Sequence, residues 1–272
     1  ALMDNLAAWL RADAALIGVL SVVAIAAYGF ELFNLHLTID EELHAVENKA
    51  NAWIEQGRWG MALLNRFLFP QPVIPFAPLF VALVFHLLAI VLLLRAWGIT
   101  PGFPRLAAGA MAMAYPGMAH MYVFSSINFG IGIGLFLVAL AVLLFSRASL
   151  AVRLSAAVPA ALALSIYQGL AVALGVGLLL RWLAEVVIAG RRHVDWAGIG
   201  IMVIIAAAAV VLYQLGQALA FALSGLEPAT YISGLYDPGF LLQNPTLVVG
   251  RLWMLLLQNY GGATGVFGVS VV

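Results

Sequence analysis

Three carboxylates in succession, Asp40, Glu41 and Glu42, follow an apolar run of membrane length and open the longest polar segment of the chain. Charge beside a bilayer is costly, and only 9% of these residues are charged, so where the acids fall is informative. The chemistry open to them is proton abstraction, because a positioned carboxylate takes the proton of an attacking hydroxyl in the transition state. They also suit a solvated helix start: Thr38 and Glu41 have capping-box spacing, and acids favour the positive end of a helix dipole. The residues alone leave both readings open. Successive helix positions point about 100° apart, so Asp40 and Glu41 do not share one role. His44, one turn on, can orient a carboxylate or join the acids around a divalent cation, the one candidate cofactor of this segment.

The elements that position these acids are membrane spans. A chain that is 65% hydrophobic, with mean hydropathy +1.07, is too apolar for a soluble domain. Its apolar runs are continuous and about 20 residues long, whereas barrel strands alternate over about 10. The expected fold is all-α: one polytopic transmembrane bundle over 1–272, with about eight spans at roughly 14–36, 75–97, 105–124, 128–146, 154–167, 169–189, 197–222 and 247–270. The fifth is short, so it starts before Leu154, tilts, or pairs tightly with the sixth. Zero net charge gives no argument for nucleic acid, and the absence of cysteine removes disulfides and thiolate metal sites. Asp4, Arg11 and Asp13 precede the first run and no small-residue cleavage site follows, so it reads as a retained span. The last run reaches Val272 with no basic residue after it, the pattern of a chain that continues.

Orientation follows from Lys and Arg. One set of loops holds Arg11, Arg95, Arg105, Arg147, Arg153, Arg181, Arg191 and Arg192, and the opposite set holds Lys49, Arg58, Arg66 and Arg251. Cytoplasmic loops retain positive charge, so the N-terminus is expected in the cytoplasm, with 37–74 and 223–246 facing outward. In the first outer segment Leu43, Val46, Ala50, Trp53 and Ile54 form one helical stripe. Met61, Leu64, Phe67 and Leu68 form a second, and Gly57 and Gly60 separate the two. Two amphipathic helices along the membrane surface are expected here.

Ile39-Asp40-Glu41, the segment Gly57-Arg58-Trp59-Gly60 and the segment Ser165-Ile166-Tyr167-Gln168 together resemble the Gtr-type glucosyltransferases that modify bacterial O-antigen. These are members of the wider GT-C class of membrane glycosyltransferases. The resemblance implies a polyprenyl-phosphate-linked sugar donor, glucose by analogy, and a glycan acceptor outside the bacterial cytoplasmic membrane. It also implies an acid of the first outer loop as catalytic base, which makes Asp40 the base and Glu41 the second carboxylate. Asp-Glu-Glu replaces the commoner Asp-Asp form, which leaves the division of roles between them open. Family members tend to be longer, with more spans.

A lipid phosphate needs a cation at the interface, and on the outer side Arg58, Arg66 and Arg251 are the candidates. Each also suits a snorkelling role at a span end or on a surface helix. Tyr167 and Gln168, with Asn128 and Ser125-Ser126, occupy outward turns expected at the level of Asp40, where they can line one cavity. Tyr231, Tyr236 and Asp237 in the second outer segment offer aromatic faces and a carboxylate suited to sugars, or to an ordinary interface belt. His86 and His120 are expected to make helix-packing hydrogen bonds, and Gly130, Gly132, Gly134, Gly175 and Gly177 to mark close packing. Two competing functions remain at this level. A transporter or flippase of a lipid-linked sugar normally shows ionisable groups at mid-membrane or duplicated halves, and neither is prominent. A noncatalytic membrane subunit is the other.

Overall fold

The computed structural model describes residues 12–34, 50–70, 74–188, 195–229 and 246. The described residues are helical, with no strand among them: α1 (Ala14–Phe33), α2 (Ala50–Glu55), α3 (Trp59–Phe67), α4 (Ala77–Ala96), α5 (Phe103–Met113), α6 (Pro116–Tyr122), α7 (Asn128–Phe145), α8 (Leu150–Ser155), α9 (Ala157–Ile166), α10 (Leu170–Ile188) and α11 (Trp196–Ser224). Residues to Leu226 form one compact unit and those from Glu227 a second. The first unit is an all-α membrane bundle. Four of its helices, α1, α4, α7 and α11, are long and apolar enough to cross a bilayer.

Local chemistry explains where the spans depart from unbroken runs. The expected third span is two helices, because Pro116 lacks an amide hydrogen and holds Tyr115 extended at φ −61°, ψ 119°. The fifth begins at Leu150, earlier than Leu154, as α8 leading into α9. The expected eighth span lies outside the described residues.

The bundle is centred on α7, which packs against α4, α9 and α10. Glycine makes the α4 contact this close: a Cβ on Gly132 would run into the Ala82 backbone, while Gly130 and Gly134 meet Met61 and Leu170. Gly177 abuts Val142, but nothing lies near a Cβ on Gly175, which is not a packing site. Alanines do the same work between α9 and α11, where Ala156, Ala157, Ala160 and Ala209 are buried together.

Two ends of the unit differ chemically. At the start of α1 the buried Asp13 carboxylate holds Arg95 Nε at 2.6 Å and Arg105 Nη2 at 3.0 Å, tying α1 to the end of α4 and the start of α5. At the other end of α1 lie the start of α4, the end of α6 and the start of α7, where Gly130 meets Ile166 at the end of α9. At 29 residues α11 is about 43 Å long, well over the ~30 Å of a hydrocarbon core. Its buried face steps Ile205, Ala209, Tyr213, Gln217, so the stripe that begins apolar ends in two polar residues.

Candidate active site

The short helix α2 ends in a Schellman motif. Gly57, at φ 72°, donates to Ile54 O at 2.8 Å, and Arg58 donates to Trp53 O at 2.7 Å. Only glycine enters this left-handed conformation without cost. The turn starts α3 at Trp59 and brings the Arg58 guanidinium back over the buried Trp53 ring, 5.6 Å from its centroid. The same guanidinium lies 4.9 Å from the centre of the Tyr167 ring, and its Nε makes a long contact of 3.4 Å to Gln168 Oε1. Arg58 is thus held by two aromatic faces and an amide.

Gln168 continues the network. Its Nε2 donates to Gln56 O at 2.9 Å and reaches Tyr213 Oη at 3.2 Å, while Tyr213 donates to Gly57 O at 3.0 Å. Trp59 Nε1 donates to Tyr213 O at 3.2 Å, and its ring lies on Gly216. Gly60 is pressed against Ser165, so that a Cβ there would overlap the serine hydroxyl. The segment 57–60 and the segment 165–168 therefore form a single joint, sealed from the third side by α11.

The second stripe of the first outer segment is corrected by this arrangement. Met61 is 1% exposed, wedged between Gly130 and Ile166, while Phe67 and Leu68 are exposed. Thus α3 plugs into the bundle through Gly60, Met61 and Ala62, because Gly130 of α7 leaves room for the methionine and Gly60 for Ser165.

Beside the joint, α2, α3 and the last turns of α11 enclose a groove of about 690 Å³. Ile54, Leu63, Leu219 and Leu223 make much of its wall, Trp59 supplies a flat face, and the exposed Arg66 lines it. Asn65 also lines the groove, with its Nδ2 buried and without a hydrogen-bond partner.

Asn128 does not join this group. It is 3% exposed, donates to Tyr122 O at 3.5 Å, and lines a separate small cavity with Glu31, Tyr122 and Ser125. The expectation of one cavity for Asn128, Tyr167 and Gln168 is corrected, because Asn128 begins α7 and turns towards α1. His86 packs edge-on to Tyr122 at 5.8 Å and its Nδ1 has no partner, and His120 is exposed, so neither makes the expected helix-packing hydrogen bond. Among the described residues no three His, Asp or Glu gather as a metal site. Asp40, Glu41, His44, Tyr231, Tyr236, Asp237 and Arg251 lie outside the described residues. Tyr213 and Gln217 went unnoticed in the sequence, although two polar residues four apart in an apolar span are a readable sign of a polar helix face.

The chain matches the family model described as glucosyl transferase GtrII over residues 29–264. No curated protein and no solved structure matches it. The matched region contains the acid cluster and both halves of the joint, and the chain belongs to the glucosyl transferase GtrII family.

Proposed function

We propose that this chain moves glucose from a polyprenyl-phosphate donor to a hydroxyl of a cell-surface glycan such as O-antigen, on the outer face of the bacterial cytoplasmic membrane. The bond from the anomeric carbon to the phosphate oxygen breaks, and a bond from that carbon to the acceptor oxygen forms. The acceptor proton passes to the Asp40 carboxylate, and polyprenyl phosphate leaves. One base and one direct attack imply inversion at the anomeric carbon. Glu41 is the second carboxylate of the pair.

The observation that carries this reading is the joint itself. Arg58 is fixed between Trp53 and Tyr167 beside an apolar groove, which suits a ligand with an anionic head and an isoprenoid tail. Arg66 on the groove is the second phosphate candidate and Arg251 the third. Tyr167 and Gln168 serve as positioning residues for Arg58. Asp40 lies in sequence between Asn34, at the end of α1, and Ala50, at the start of α2. The outward assignment is supported by Arg95 and Arg105 gathering on Asp13 at the opposite end of α1.

The test is transfer of labelled glucose by the full chain in lipid nanodiscs. Asp40→Asn lowers the rate by at least about 10²-fold, the scale of a lost general base, while insertion and thermal unfolding stay as in the wild type. A fully active Asp40→Asn chain removes Asp40 from the mechanism.

A further inference from the structure

Trp59 follows Arg58 in the chain and is the residue of the segment 57–60 that lines the groove. Its indole Nε1 donates to Tyr213 O at 3.2 Å, and its ring rests on Gly216 of α11. A Cβ on Gly216 would run into Cζ2 and Cε2 of that ring, so the glycine is the notch that receives it. The ring is thus fixed against α11 from one side, while the side chain stays half-buried and open to the groove. A large aromatic surface already held in place loses little conformational freedom when a ligand packs on it.

The groove around the indole has a definite chemistry. Its volume of about 690 Å³ is that of a site enclosing a whole small ligand, more than a phosphate head requires. The exposed Arg66 lines it, and no Asp or Glu is among the described residues that do. That charge pattern complements an occupant with an apolar body and an anionic end. Short side chains at Ala62 and Ala220 stand beside the longer Leu63, Leu219 and Leu223, which makes the apolar wall uneven. An uneven wall packs a methyl-branched chain better than a straight one, because a void beside a straight chain forfeits dispersion contacts. The flat indole in turn suits the planar carbon–carbon double bond of an isoprene unit.

We propose that Trp59 is a specificity-determining residue for the donor's lipid: the isoprenoid chain lies on its indole face, which selects a branched, unsaturated tail over a straight one. That the tail belongs to a sugar donor rests on the glucosyltransferase reading, whereas the preference for an isoprenoid rests on the groove alone.

The experiment is equilibrium binding to the full chain in nanodiscs of two lipids that share one head, polyprenyl-phosphate-glucose and hexadecyl-phosphate-glucose, each titrated as a mole fraction of the bilayer. The wild type binds the isoprenoid about tenfold more tightly, the scale of one or two well-packed methyl groups. Trp59→Ala erases this preference by raising the isoprenoid Kd, and leaves the straight-chain Kd unchanged. Trp59→Phe keeps an aromatic face without the N–H and retains most of the preference. Gly216→Ala is favourable for the helix itself, displaces the ring and reduces the preference, and it decides the matter if Trp59→Ala does not fold. Equal binding of the two lipids by the wild type overturns the proposal, because an ordinary acyl chain then fits as well. Equal losses for both lipids in Trp59→Ala overturn it too, since the indole then serves the joint and not the tail. So does a preference that survives Trp59→Ala intact. A tail preference that responds as expected in a wild-type chain with no glucose transfer defeats the proposed function and leaves Trp59 standing as an isoprenoid-binding residue.

Discussion

The joint and the small pocket lie at the same end of α1 and draw on the same kinds of residue, but they treat their polar atoms in opposite ways. At the joint, Gln168, Tyr213, Trp59 and the backbone of Gln56 and Gly57 engage one another. At the pocket, Tyr122 Oη and Asn128 Oδ1 are buried without partners. The free energy of a buried polar group is set by whether it is paired, so the two regions carry different risks. The joint spends its hydrogen bonds on fixing Arg58 in place. At the pocket the two atoms are buried with their hydrogen-bonding capacity unused. One is a paired network and the other an unpaired couple, and each breaks in its own way.

The largest effect is expected from Gly57→Ala. An alanine at φ 72° costs about 1–2 kcal/mol before its Cβ, 2.8 Å from the Tyr213 hydroxyl, displaces anything. Loss of the Tyr213 and Gln168 hydrogen bonds adds to this, so thermal unfolding shifts down and glucose transfer falls with it. Unchanged stability and rate would show that the turn is not what holds Arg58. Tyr122→Phe comes next and should hold thermal stability or raise it slightly, because a buried unpaired hydroxyl is removed, whereas a clear loss would show that the hydroxyl is paired. The smallest effect is expected at Gln217, which with Asn65 shares the pocket's condition near the joint, because its Oε1 is buried without a partner. Gln217→Leu should leave stability within about 1 kcal/mol of the wild type or raise it slightly, since an unpaired acceptor is removed. A clear loss of stability, read by thermal unfolding, would place Gln217 among the joint's working hydrogen bonds.

Much of the architecture was legible in the sequence because a bilayer imposes length and apolarity on each span. The starts of α1, α4, α7, α10 and α11 fall within a few residues of those read from the apolar runs. The break at Pro116 and the early start at Leu150 were harder, since hydropathy does not register a missing amide hydrogen or a short amphipathic lead-in. The sequence motifs single out Arg58, Tyr167 and Gln168, but their meeting was not legible. It depends on a Schellman turn and on contacts between residues more than a hundred positions apart. Asn128 was misplaced for a related reason: sequence gives its level along the helix but not the side it faces. Tyr213 and Gln217 were overlooked inside a span whose overall apolarity masked a polar edge on one face. Phe76, at φ 64°, gave no sign at all, because nothing in Pro75-Phe76-Ala77 announces a positive φ.

The central claim, a lipid-linked sugar transferred at the joint, is tested most directly by following label and leaving group together. The full chain in nanodiscs is given polyprenyl-phosphate-glucose labelled in the sugar and a lipid-linked glycan acceptor. The account predicts one polyprenyl phosphate released for each glucose found on the glycan, with no transfer when nucleotide-linked glucose replaces the lipid-linked donor. Equal transfer from the nucleotide sugar, or glycan labelling without release of polyprenyl phosphate, would contradict it.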